Sequence, residues 1–142
     1  MNAELTGKLQ QLFNEHPDLL GKPASDEQIH SAQQTLGITF HPDYVEFIKR
    51  FGGSFGGVGI HAFENGSLIG NETVTELTTD FRDCYDTSGL PELHDAFVIS
   101  GDGSGNPILM NSQGQLYLYL HDEGEVELLA ASLEALLTSS FP

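Results

Sequence analysis

The segment from Gly37 to Gly53, Gly-Ile-Thr-Phe-His-Pro-Asp-Tyr-Val-Glu-Phe-Ile-Lys-Arg-Phe-Gly-Gly, leaves the fewest ways to fold. Residues 38–41 read as extended backbone. Pro42 fixes φ at a first helical position, where no N–H is needed. Tyr44, Phe47, Ile48 and Phe51 then recur at i, i+3, i+4 and i+7, so three rings and an isoleucine share one helix face. Gly52-Gly53 follow at once, the residue type through which a chain leaves a helix at φ > 0. A helix this short and this aromatic is unstable in isolation. The segments on either side must build a core around it.

Those segments read in order as follows. Leu5, Leu9, Leu12 and Phe13 mark a helix over residues 3–15. Pro17, Gly21 and Pro23 break it. Ser25 with Gln28 has capping-box spacing and opens a helix that turns Ile29, Ala32 and Leu36 inward. Beyond the organising helix, the glycine-rich stretch 52–59 reads as a helix exit with a mobile loop. Val58 to Phe63 reads as a short strand and Ser67 to Gly70 as a weaker one. Asn71 is the expected cap of a helix carrying Val74, Leu77, Phe81 and Cys84 or Tyr85 inward, ending near Ser88-Gly89-Leu90-Pro91. Four strand-like runs follow: Ala96–Ser100, Pro107–Asn111, Gln115–His121 and Glu125–Leu129. Leu116, Leu118 and Leu120 oppose Tyr117 and Tyr119 across the third run, which suits a strand inside a sheet. Ser132 caps a closing helix from Leu133 to Thr138. Helices first and hairpins later specify an α+β fold with a mainly antiparallel sheet. The 142 residues are expected to form one domain, 1–142, with 1–23 as an N-terminal helix and its connection.

Charge narrows the function. The formal net charge is −16. All five basic residues (Lys8, Lys22, Lys49, Arg50, Arg82) precede position 83, and ten acidic residues without Lys or Arg follow from Asp83 onward. Direct nucleic-acid binding is not expected, because nothing displaces counterions from phosphates. Such acidity either only maintains solubility, as a solvated face, or steers a basic partner in. No apolar run is long enough for a bilayer, and no secretory signal is evident at the N-terminus. The single Cys84 forms no internal disulfide, so a reduced cytoplasmic setting is expected.

Motifs for chemistry do not close. Gly101-Asp-Gly-Ser-Gly-Asn106 is followed by a strand, whereas a dinucleotide loop needs a helix there. Read as a calcium loop, it has Pro107 where the sharp-turn glycine belongs and Gln113 where the bidentate Glu belongs. A tight strand-to-strand turn accounts for it. Gly52–Gly57 lacks the Gly-Lys-Ser/Thr ending of a phosphate loop. The histidines at 16, 30, 41, 61, 94 and 121 show no zinc spacing, and His94-Asp95 and His121-Asp122 read as solvated pairs, so neither metal nor cofactor is expected. Cys84 on an inward helix face reads as an inert thiol. No Gly-x-Ser-x-Gly elbow is present.

Two acidic groups remain. Asp80, Asp83 and Asp86 fall at i, i+3 and i+6 of the predicted helix, where they repel one another and oppose its dipole. Asp122, Glu123, Glu125 and Glu127 cluster on a hairpin, with Glu125 and Glu127 on one strand face. With Asp102, these are the candidate partner-binding residues. A basic protein would relieve their repulsion.

The segment Leu36 to Gly53 resembles the hallmark of the SMI1/KNR4, or SUKH, superfamily: Leu-Gly, an aliphatic pair, Pro-x-Tyr, an apolar helix turn and Gly-Gly. The run into Gly101-Asp-Gly-Ser-Gly105, the strand Leu116-Tyr-Leu-Tyr119 and Ala131-Ser-Leu-Glu134 are similar too. The likeness spans roughly residues 24–138. It implies helices around a mixed, mostly antiparallel sheet, with Pro42, Tyr44, Gly52, Gly53, Gly101 and Gly105 as fold determinants. It implies no catalytic residues. It also implies a non-enzymatic immunity protein that neutralises a cognate toxin, often a nuclease; a monomer or weak homodimer is expected. The acidity fits a basic toxin. The alternative is a small-ligand or regulatory domain with a pocket beside residues 52–59, and a hydrolase would need carboxylates or histidines converging in one cleft.

Overall fold

The computed structural model describes residues 1–141. Its elements run α1 (Ala3–Glu15), α2 (Asp26–Leu36), α3 (Pro42–Phe51), β1 (Ser54–Phe55), β2 (Gly59–Ile60), α4 (Val74–Cys84), β3 (Phe97–Gly101), β4 (Pro107–Met110), β5 (Leu116–Leu120), β6 (Glu125–Ala130) and α5 (Leu133–Ser140), with single 3-10 turns at Pro17–Leu19 and Pro91–Leu93. β3 to β6 form an antiparallel sheet in chain order, and β1 and β2 a separate small hairpin. The fold is α+β. The parallel pairing is confined to an isolated bridge, Gly53 with Asn65. No described helix is long and apolar enough to cross a membrane.

Cap chemistry sets the helix starts. Asn2 accepts from the Leu5 N–H at 2.8 Å. Ser25 and Gln28 form a reciprocal capping box. The His41 ring accepts from Asp43 N–H at 3.1 Å just before Pro42. Ser132 caps α5, which runs two residues further than expected, to Ser140. The cap of α4 is Thr73 and not Asn71. Thr73 accepts from Glu76 N–H, and the Glu76 carboxylate accepts from Thr73 N–H, so two orphan donors are satisfied where Asn71 would satisfy one.

The sheet separates two apolar clusters. Phe97, Ile99, Ile108, Met110 and Leu116 join Tyr44, Phe47, Ile48 and Phe51 of α3 with apolar residues of α1, α2 and α5. Phe40, Tyr44 and Phe97 meet ring to ring with centroids 4.7–5.2 Å apart. Tyr44 keeps its polar end satisfied by donating to the His61 carbonyl at 2.6 Å. On the opposite face Val98, Leu109 and Tyr119 receive Phe81 of α4 and Leu93. Leu116 and Leu118 thus serve one cluster and Tyr117 and Tyr119 the other, as the alternation on β5 predicts.

Several expectations need correction. Residues 52–59 form a largely buried helix exit and a short hairpin in place of an open loop. Gly52 (φ 66, ψ −153) turns the chain out of α3 in a conformation open to glycine alone, and a Cβ there would collide with the Lys22 carbonyl. A Cβ on Gly53 would collide with the Asn65 side chain. Ser54 is fully buried, bonding the Gly21 N–H and the Phe51 carbonyl. The strand expected over 58–63 shrinks to Gly59–Ile60 paired with Ser54–Phe55, because Asn65 gathers residues 62–72 into a loop by bonding Ala62, Gly70 and Glu72. Residues 67–70 form a turn and no strand. α4 stops at Cys84, where Tyr85 becomes extended to stack on Phe81 and Tyr119. Its buried face is Val74, Thr78 and Phe81, and Cys84 is exposed, so the inward thiol is overturned. Thr78 faces in because its hydroxyl accepts the Val98 N–H at 2.9 Å, stitching α4 to β3.

Candidate functional site

The β3–β4 turn is built around Asp102. Its carboxylate accepts from Ser104 N–H at 2.8 Å, Asn106 N–H at 3.1 Å and the Asn106 side-chain amide at 2.9 Å. Gly103 and Gly105 take the left-handed conformations the turn requires, with φ of 85° and 89°. Gly101 carries no such requirement: its φ is not positive, and a Cβ there would make only ordinary contact. The Asn106 amide and the Ser104 N–H hold the Asp102 carboxyl below its ordinary pKa. Asp102 is therefore an ionised turn staple whose lone pairs are largely engaged.

Asn106 also ties this turn to the next. Its side-chain Oδ1 lies 2.5 Å from His121 Nδ1 and accepts from the His121 backbone N–H at 3.1 Å. The His121 ring in turn stands 3.3 Å from the Asp122 carboxylate. Asp102 and Asp122, twenty residues apart in the chain, therefore sit at the same end of the sheet. α4 reaches that end too. Asp80, Phe81, Cys84 and Tyr85 line a groove of about 330 Å³ together with Val98 and the 101–107 turn. The groove was not expected from sequence. Its signal was the 74–78–81–85 spacing, which assigns Tyr85 and not Cys84 to the sheet.

The other candidates disperse from this point. Asp83 follows Asp80 on α4, but Asp86 lies beyond the helix end, so the three do not form one helical row. Asp86 accepts from Ser88 N–H at 3.0 Å, which lowers its pKa. Glu123 is in the β5–β6 turn, and Glu125 and Glu127 stand exposed on β6 opposite Leu120 and Leu118. Of the residues that the resemblance implies as fold determinants, Tyr44, Gly52 and Gly53 are buried where α3 meets its neighbours and Pro42 is exposed at the first turn of that helix; none of them belongs to this surface.

The cations are elsewhere. Lys8 pairs with Glu4 (3.5 Å), Lys22 with Glu64 (3.9 Å) and Lys49 with Asp26 (2.8 Å). Arg82, the one base on α4, turns away and donates to the Leu36 carbonyl at 2.8 Å. Among the described residues no Lys or Arg lies within ion-pair distance of Asp80, Asp83, Asp86, Asp102, Asp122, Glu123, Glu125 or Glu127. Nor do three or more His, Cys, Asp or Glu converge there as metal-ligand groups do. Chemically, the sheet end and β6 present negative potential that a mobile cationic group can neutralise.

Compared with known sequences, residues 23–139 match the model of the SMI1 / KNR4 family (SUKH-1). No curated protein matches the chain. The match covers α2 through most of α5, including the Pro42–Gly53 junction and all four strands of the main sheet. On that span the chain belongs to the SMI1/KNR4 (SUKH-1) family.

Proposed function

We propose that this protein is a non-enzymatic immunity protein that binds and neutralises a basic, nuclease-type toxin in the cytoplasm. The carrying observation is the set of carboxylates on α4, the two sheet turns and β6 with no described Lys or Arg in ion-pair distance, Arg82 being engaged instead with the Leu36 carbonyl. Family membership supports it through the role that the sequence resemblance implies. In this reading the carboxylates occupy cationic positions with which the toxin would grip phosphates, and complementary potentials speed encounter. Substrate is excluded by competition for those positions, so no bond in either protein need be broken.

The test is co-expression with the product of the adjacent gene. Growth arrest by that product, relieved by this chain and not by a variant with Asp122, Glu123, Glu125 and Glu127 changed to Asn or Gln, is the expected result. The affinity of the purified pair should fall steeply between ~0.05 and ~0.5 M salt, because exposed charges are screened over a Debye length of about 8 Å at physiological ionic strength. A tight complex indifferent to salt would remove the electrostatic mechanism.

A further inference from the structure

The main sheet has two outer strands, and they end differently. On β3 the outer side is covered: the Ile99 carbonyl accepts the His61 N–H at 2.8 Å, next to the β1–β2 hairpin. On β6 it is open. β6 pairs with β5 alone, and residues 125–130 are exposed or half-exposed throughout. A sheet edge presents unpaired N–H and C=O groups that another chain can complete.

Its side chains select what can complete it. Leu128 is 56% exposed and Leu129 39%, two of the four large apolar side chains that face solvent among the described residues. Glu125 and Glu127 lie on one face of the strand, and Val126 and Leu128, opposite Tyr119 and Tyr117, on the other. A second copy of this chain fits poorly. A symmetric antiparallel pairing centred on residue 126 sets Glu125 against Glu127 of the other copy, and one centred on 127 sets Glu127 against itself; like charges directly opposite destabilise a ladder. A foreign strand with Lys or Arg at alternate positions and apolar residues between them satisfies both faces. No described Lys or Arg competes for those carboxylates.

We propose that β6 is a strand-addition site, at which an extended basic segment of the protein partner joins the sheet as its fifth strand. The proposal rests on the immunity reading for the identity of the partner and adds the mode of docking. The acidic turn holding Asp122 and Glu123 leads directly into this edge and would steer the incoming segment to it.

The test uses a synthetic eight-residue peptide alternating Lys and Val, added to the isotopically labelled full chain at low salt and followed by amide NMR. Saturable binding is expected, with shifts confined to β6 and its turn and slowed exchange of outward β6 amides. A peptide N-methylated at alternate residues, which keeps its charge and loses one row of donors, should bind at least tenfold more weakly. The E125Q/E127Q variant should weaken the unmodified peptide about tenfold. Equal binding of the N-methylated peptide, shifts centred on the α4 groove, or slow exchange caused by dimerisation of the free protein would each overturn strand addition. Those outcomes leave the toxin-binding reading to its own growth test. Failure of every cationic peptide to bind at low salt would overturn strand addition and the acidic-surface mechanism together.

Discussion

Tyr44 illustrates how one residue can fix both packing and a pH response. It is fully buried, and burial alone raises its phenol pKa well above the ordinary value of 10.0. A raised folded-state pKa contributes stability that is complete below the unfolded pKa and lost as pH rises through the folded one. Stability should therefore decline above about pH 10. Tyr44→Phe should flatten that decline in denaturant titrations from pH 9 to 11.5. At neutral pH it should cost about 1–2 kcal/mol, because the His61 carbonyl loses its donor. Asp102 has the opposite sign. Its lowered pKa means that its contribution is present above the ordinary carboxylate value and lost as pH falls through the folded one, so the β3–β4 turn should loosen in acid. Gly52→Ala should be the most damaging small change, costing about 3 kcal/mol or more by urea unfolding. It combines a backbone region closed to alanine with collision against Lys22.

At the scale of elements, the first three helices were legible because apolar period and cap chemistry agree in each. α4 was only half legible. Its capping box, Thr73 with Glu76, is present in the sequence, but Asn71, a good cap residue two positions earlier, competes with it for the helix start. Thr73→Ala should cost about 1 kcal/mol and raise amide exchange in residues 74–77 first. Of its expected inward residues, Val74 and Phe81 are buried, Leu77 and Tyr85 pack half-buried against the sheet and Cys84 is exposed; Thr78 is the inward position that apolar counting misses, because its hydroxyl meets the Val98 N–H. Of the β1–β2 hairpin only β2 is legible, inside the strand expected over 58–63; β1 and the pairing are not, for another reason. Two residue pairs among glycines carry no alternation, and the hairpin exists only because Ser54 is anchored to Gly21 and Phe51. The acidic site divided in the same way. Charge density along the chain was readable, but the link from Asp102 through Asn106 to His121, and the groove beside α4, depend on contacts between distant residues.

For the whole molecule, a net charge of −16 should cost stability through self-repulsion. Raising salt shortens the Debye length from about 30 Å at 0.01 M to about 8 Å at 0.15 M. If this relieves about 1 kcal/mol, the melting temperature should rise by roughly 3 °C. Removing Glu125 and Glu127 charge should leave the free protein equally or more stable while weakening capture of a basic partner, a separation that calorimetry and binding measure independently. The uneven placement of cations also has a practical result. Lys8, Lys22 and Lys49 all carry solvent-accessible amines and all precede the main sheet in the chain. Coupling to a sensor surface through lysine would therefore tether the helical half and present the strands to the flow, and footprinting of a bound partner on those strands calls for carboxyl-directed reagents.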